Sequence, residues 1–252
     1  MPFPAEALVL RWSTRGVRFL CRAGDDRISI RLHTPPNGDR LAITADLALT
    51  PDGAAWLPQE STLVVADVHV GYARAARRRG GWLPTDAESP AKLAARMLTA
   101  CARVGATRLV IAGDLRHSTR DVDEAERAEV AALLAALGHG LARVDVVAGN
   151  HDSGDDTPRE LVLGDVTIVH EPPSSPPERW TICGHLHPTT TLRDETGASL
   201  RVPCALVGER TVVLPAFTEW AGGVTAGRAR RAIGWGDWRQ IVCAAGRVWE
   251  HT

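Results

Sequence analysis

Thr62-Leu63-Val64-Val65-Ala66-Asp67-Val68-His69 is the stretch on which the fold turns. Thr62–Ala66 is a short run with no polar alternation, the pattern of a strand buried on both faces. It ends on a carboxylate and an imidazole two residues apart. In open α/β sheets ligands collect beyond the carboxyl ends of strands. The stretch therefore predicts a central strand with a chemical site at its tip.

Working outward, strand and helix signals alternate. Ser89 offers an N-cap with Pro90 at the first helical position. Leu93, Met97, Leu98, Cys101 and Val104 form a helical stripe that Gly105 stops. Arg108–Ala112 is a second strand run. Asp121 with Glu124 has the form of a capping box opening an alanine-rich helix that ends near Gly138. Val144–Ala148, Val166–Val169 and Trp180–Cys183 are further strands, and residues 200–214 and 238–249 are antiparallel hairpin material. Before residue 51 the apolar runs Ala7–Leu10, Gly16–Leu20, Ile28–Leu32 and Leu41–Leu47 are broken by Gly24-Asp25-Asp26 and by a turn at Pro35–Gly38. The expectation is one α/β domain over residues 51–252 with a β-rich extension, residues 1–50, packed on it.

Composition narrows the class. In 252 residues, 44% are hydrophobic and 23% charged, ordinary for a globular chain. No apolar run approaches the ~20 residues of a spanning helix, and Met1–Glu6 lacks a basic start and an apolar core. The expected location is cytoplasmic, without membrane contact. The five cysteines are scattered and show no paired spacing, so a disulfide framework or a zinc knuckle is not expected. Formal net charge is −1, so bulk electrostatics does not mark a nucleic-acid binder. Lys92 is the only lysine, and arginine supplies every other basic side chain.

Five short motifs follow in order: Asp67-Val68-His69, Gly113-Asp114, Gly149-Asn150-His151-Asp152, His170, and Gly184-His185-Leu186-His187. Four directly follow or end a strand run, so one sheet edge can gather them. Carboxylate oxygen and imidazole nitrogen without thiolate suit divalent ions such as manganese, iron or zinc. A carboxylate can bridge two cations, and Asn150 adds a neutral oxygen. Two dications less two aspartates and one hydroxide leave a positive centre that attracts phosphate. Paired metals about 3.5–4 Å apart stabilise both attacking and leaving oxygens.

These motifs resemble the signature of the calcineurin-like metallophosphoesterases, from residue 61 to about 188. The resemblance implies a four-layer α-β-β-α sandwich. It also implies that Asp67, His69 and His187 bind one metal, that Asp114 bridges, and that Asn150, His170 and His185 bind the second. His151 would donate to the phosphate or the leaving oxygen, with Asp152 orienting it. A narrower set is similar to the DNA-ligase-associated metallophosphoesterases: Val65–Gly71, Arg77-Arg78-Arg79-Gly80, Leu83-Pro84, Gly113–Ser118, Leu214-Pro215-Ala216-Phe217 and Gly222-Gly223. That family implies a manganese-dependent endonuclease on single-stranded DNA, working in repair, with a DNA ligase or helicase as partner. The first 40 or so residues resemble no family, and Val68 and Val70 stand where that family prefers leucine.

Several residues admit two readings. Asp152 can cap a turn or form an acid–orienter pair with His151. His117, three residues after Asp114, can be a solvated loop histidine or a catalytic substrate contact. Arg77, Arg78 and Arg79, with Arg74, form a solvated basic face or a clamp for backbone phosphates. Trp82, Trp220, Trp235 and Trp238 can pack or stack on bases, and Pro172–Pro177 reads as a stiff loop. The competing functions are a phosphoprotein phosphatase, a cyclic-nucleotide phosphodiesterase, a nucleotide-sugar pyrophosphatase and a non-catalytic scaffold. A scaffold would be expected to lack ligands.

Overall fold

A computed structural model describes residues 9–13, 16–23, 26–32, 39–83, 89–119, 122–152, 157–193 and 197–251. Strands β1 (Val9–Ser13), β2 (Gly16–Ala23) and β3 (Asp26–Leu32) pair antiparallel into a sheet of their own. The turn expected at Pro35–Gly38 lies outside the described residues.

The next sheet runs β4 (Leu41–Ala42), β5 (Ala48–Leu49), β6 (Ala55–Leu57), β7 (Thr62–Val65), β8 (Arg108–Ala112) and β9 (Arg143–Val147), in that order. Its first four strands meander antiparallel; β7, β8 and β9 are parallel. Residues 41–49 therefore belong to the same sheet as the central strand.

Three helices follow β7 and β8. Helix α1 (Tyr72–Arg78) occupies what the sequence shows only as a basic segment. Helix α2 (Pro90–Val104) starts where the sequence predicts: the Ser89 side chain accepts from the Lys92 amide, and Gly105 closes the helix in the left-handed region at φ 77. Helix α3 (Glu124–Gly140) begins differently. Its N-cap is Asp123, which accepts from the Glu126 amide, whereas Asp121 lies outside the described residues. The helix also runs through Gly138, because buried Leu137 anchors the last turn and accepts from the Leu141 amide.

A second sheet is ordered β10 (Glu160–Leu163), β11 (Val166–Val169), β12 (Trp180–Cys183), β15 (Thr211–Val213), β14 (Ser199–Val207), β13 (Pro188–Arg193) and β16 (Val224–Thr225). Helix α4 (Ala226–Ile233) follows β16, and the hairpin β17 (Arg239–Ala244)–β18 (Arg247–His251) adds to β14. Both hairpins expected near the end of the chain are present; β16 and α4 are not among the expected elements, although Thr225 caps α4 and Gly234 closes it.

Side-chain alternation along β7 stacks these layers. Leu63 and Val65 pack with Leu109 and Ile111 against Leu93, Met97, Leu133 and Leu137 of α2 and α3. Val64 and Ala66 face the other way, against Ile168, Ile182, Val212 and Leu214 of the second sheet. The far side of that sheet, with Cys183, Leu206 and Val213, is covered by Ala226 and Ala229 of α4 and by Trp238 and Trp249. The order is helix, sheet, sheet, helix, the four-layer sandwich that the resemblance implies. No described helix is long and apolar enough to cross a membrane. Cys101, Cys183, Cys204 and Cys243 are buried and free, and burial pushes the Cys204 and Cys243 thiols up to about 12.

Candidate metal centre

The loops beyond β7, β8, β9, β11 and β12 converge at one edge between the two sheets. Backbone bonds lock the first two together. The His69 amide donates to the Asp114 carbonyl at 2.8 Å, the Val70 amide to Leu115 at 2.8 Å and the His117 amide to Val70 at 2.9 Å. The Leu-Pro-Ala-Phe segment closes the floor: the Leu214 amide donates to the Cys183 carbonyl and the Phe217 amide to Ala66, both at 2.8 Å.

Two motif glycines leave room for carboxylates. A Cβ on Gly149 would stand 2.2 Å from Asp114 Oδ1, and one on Gly184 would stand 2.4 Å from Asp67 Oδ2. No side chain fits at either position without moving a candidate ligand.

The donors divide into two sets. In the first, ligand atoms of Asp67, His69, Asp114 and His187 all lie within 4.8 Å of one another. His69 Nε2 and His187 Nε2 are 3.3 Å apart, and His187 Nε2 is 3.4 Å from Asp67 Oδ1. In the second set Asn150 Oδ1 lies 2.8 Å from His170 Nε2 and 3.0 Å from His185 Nδ1, and those nitrogens are 3.1 Å apart. Adjacent ligand atoms at right angles around an ion with bonds near 2.1 Å are about 3 Å apart, so this spacing fits a coordination shell. Asp114 joins the sets through opposite oxygens: Oδ2 lies 3.7 Å from His69 Nε2 and Oδ1 lies 3.4 Å from His170 Nε2. The residues present thus fit a pair of divalent cations.

Electrostatics points the same way. Burial first, and then the imidazoles of His187, His151, His117 and His170, pull His69 down to about 2. Burial followed by His170 lowers His185. Both rings are therefore held neutral, the form that coordinates a metal. Burial also works to lower His187, but the hydrogen bond and charge of Asp67 outweigh it and raise the ring. Desolvation lifts the Asp114 carboxyl above its usual range, and the charge of Asp67 adds to the rise.

The remaining sequence-derived residues separate by role. His151 stands at the rim of the first set, its Nε2 3.8 Å from Asp114 Oδ2. Its Nδ1 is bonded to the His117 carbonyl. The Asp152 carboxylate does not fill that position. It is buried and accepts from the Gly149 amide at 3.0 Å and the Leu115 and Arg116 amides at 3.2 Å, pinning two loops together. The His117 ring comes close to His69 and His151, with ligand atoms of the three within 4.8 Å of one another. Burial first, then His151 and Arg79, lower its pKa.

The arginine cluster is split. Arg77, Arg78 and Arg79 are exposed at the end of α1. Arg78 is tied to Asp123 at 2.6 Å, and Arg74 is paired with Asp123 and with Glu129, so both brace α1 on α3. Arg79 is the member that acts electrostatically on His117. Trp235 and Trp238 are structural: the Trp235 indole donates to the Pro173 carbonyl and the Trp238 indole to the Trp235 carbonyl. Trp82 is 78% exposed, and Trp220 lines a 280 Å³ depression beside His187.

Sequence reasoning missed the carbonyls that orient the rings. His187 Nδ1 bonds to Gly222 O and His170 Nδ1 faces Ala112 O. Any residue supplies a carbonyl, so sequence carries no signal for them. It also missed buried Glu126, whose carboxylate accepts from the amide and hydroxyl of Ser118 and fixes the loop after Asp114.

No protein-family model matches the chain, and no curated protein matches it. Among solved structures, the nuclease MPE of Pseudomonas putida is 30% identical, with a TM-score of 0.58 over 81% of this chain and 94% of its own. YfcE, a phosphoesterase from E. coli, is 17% identical with a TM-score of 0.38, covering 72% and 90%. A Vps29 single mutant from Entamoeba histolytica is 13% identical with a TM-score of 0.34, covering 75% and 96%.

Proposed function

The chain belongs to the calcineurin-like metallophosphoesterases, and from that premise we propose that it is a two-metal phosphodiesterase that cuts DNA, preferring single strands, with manganese as its metal. The observation that carries the reading is the pair of donor sets joined through Asp114. The nuclease neighbour at 30% identity supports the choice of a phosphodiester over other phosphate esters. The resemblance to the DNA-ligase-associated enzymes supports a repair setting with a ligase or helicase partner.

Metals in these sets would neutralise a phosphate and lower the pKa of bound water. The protein's own groups do the rest. The His117 carbonyl accepts from His151 Nδ1 and leaves Nε2 facing Asp114 at the centre, where a proton on Nε2 can pass to the leaving oxygen. Asp67 and Asp114 would offset only part of the charge of two bound dications, which would leave the centre attractive to an anion. A single strand bends into the cleft more easily than a stiff duplex, which favours unpaired DNA.

The test is manganese-loaded protein incubated with labelled single-stranded DNA, duplex DNA, bis(4-nitrophenyl) phosphate, a phosphomonoester and a nucleotide sugar. Asp114→Ala serves as the control and is expected to be folded and inactive. Faster cleavage of single strands than of every other substrate supports the reading. Faster turnover of the phosphomonoester or nucleotide sugar overturns it.

A further inference from the structure

A groove of 610 Å³ opens beside Asn150 and His170, on the side of the centre away from α1. Its volume lies within the range of pockets that take a small-molecule ligand, and a nucleotide is of that size. Two arginines line it, Arg159 and Arg179. Neither forms an ion pair with a described residue, whereas Arg74 and Arg78 on the opposite rim are both committed to carboxylates. An exposed guanidinium without a carboxylate partner among the described residues, facing a groove that leads to the candidate metal centre, is available to a phosphate.

The walls that carry these arginines are pinned. The Pro158 carbonyl, next to Arg159, accepts from the Ala148 amide at 2.8 Å at the end of β9. The proline-rich loop that leads to Arg179 is held by the Trp235 indole on the Pro173 carbonyl at 2.9 Å and by Arg210 on the Glu178 carbonyl at 2.8 Å. The prolines therefore do more than stiffen a connection; with these anchors they make a preformed wall, which reduces the ordering cost of binding.

The groove is not a simple polyanion trough, because Glu160, Glu171 and Glu178 also line it. Carboxylates repel a run of phosphates but accept hydrogen bonds from exocyclic amines of bases. Two cations among three anions suit one nucleotide: a phosphate on the arginines and a base edge towards the glutamates. Resting on the nuclease reading above, we infer that this groove is a substrate subsite for the nucleotide next to the scissile phosphate, and that Arg159 and Arg179 hold the neighbouring backbone phosphate.

The experiment compares wild type, Arg159→Ala/Arg179→Ala and Arg159→Lys/Arg179→Lys on a single-stranded oligonucleotide and on bis(4-nitrophenyl) phosphate, which has no second phosphate for the arginines to hold. The alanine pair is expected to raise KM for the oligonucleotide roughly tenfold at unchanged kcat and to lower the salt slope by about 0.7 for each phosphate no longer neutralised. The reporter should be unaffected, and the lysine pair should recover part of the loss. Equal damage to both substrates would make the arginines structural. An unchanged oligonucleotide KM would remove the subsite and leave the nuclease reading intact. Wild-type protein that cuts the reporter but no DNA would remove both.

Discussion

Asp152 offers the sharpest separation between a catalytic and an architectural role. Its side chain is 4% exposed and receives three backbone amides, from Gly149, Leu115 and Arg116. Asp152→Ala removes every acceptor at once and leaves three donors stranded, with Gly149 and Leu115 buried. A buried donor without a partner costs about 1–3 kcal/mol; the half-exposed Arg116 amide can turn to water. The expected loss is therefore about 2–6 kcal/mol of unfolding free energy. For a chain of this length each kcal/mol moves Tm by about 2–4 °C, so the melting point should fall by roughly 10 °C.

The assay is urea and thermal unfolding of metal-free protein, followed by tryptophan fluorescence. Removing metal matters, since a ligand that binds only the folded state would add its own binding term to the stability. Asp152→Asn should recover part of the loss, because one oxygen still accepts while the amide nitrogen opposes the backbone donors. If the alanine variant lost less than about 1 kcal/mol while turnover collapsed, the clamp would be refuted and the carboxylate returned to His151.

Three further outcomes test the centre and its surroundings. Gly184→Ala would put a methyl 2.4 Å from Asp67 Oδ2 and 2.6 Å from Ala66 Cβ; manganese content by elemental analysis should fall from about two ions per chain towards one, and an unchanged content would contradict the crowding argument. His151→Ala should lower turnover by about 10²–10⁴-fold at unchanged metal content, whereas loss of a metal would make His151 a ligand. Burial works to raise the Asp145 carboxyl, but hydrogen bonds from Arg143 and Arg108 outweigh it and hold it below the usual range. A depressed acid stabilises above its unfolded pKa of about 3.9, and the contribution drains as pH falls through the folded value. Asp145→Asn should thus shift the urea midpoint at neutral pH but not in strong acid, and a shift of equal size throughout would refute the linkage.

The sequence made the centre legible and left much of its support hidden, for a physical reason. Asp67, His69, Asp114 and the histidines after β11 and β12 are identifiable because coordination demands particular atoms at particular places. The strands under them are identifiable because burial on both faces excludes polar residues. Helices α1 and α4 face no such demand. Helix α1 has Ala73 as its one buried residue, and the stripe of α4 is short and built mostly of small residues, Ala226 and Ala229 with Ile233. The start of α3 was displaced for a similar reason. Asp121, Asp123, Glu124 and Glu126 offer several acid pairs at capping distance, and the choice falls to Asp123 because Arg74 and Arg78 also hold it.

The spacing of the motifs has its own cause in the backbone. Asp67, His69, Asp114, His185 and His187 all have positive φ, between 45° and 69°. Outside glycine this region costs about 1–2 kcal/mol per residue, least for Asp and Asn. The cross-loop bonds from His69, Val70 and His117 hold the chain there against that cost. In both motifs that pair candidate ligands the middle residue turns away from the candidate metal centre: Val68 is fully buried among α2 and α3, and Leu186 packs on the core beneath α4. Two left-handed residues flanking an apolar knob thus present two ligands to one centre and anchor the loop between them. This is why the motifs read ligand, apolar residue, ligand, and why valine serves in place of leucine at position 68. The intervening side chain is chosen for packing, while its neighbours must both face the candidate metal centre and tolerate a strained backbone.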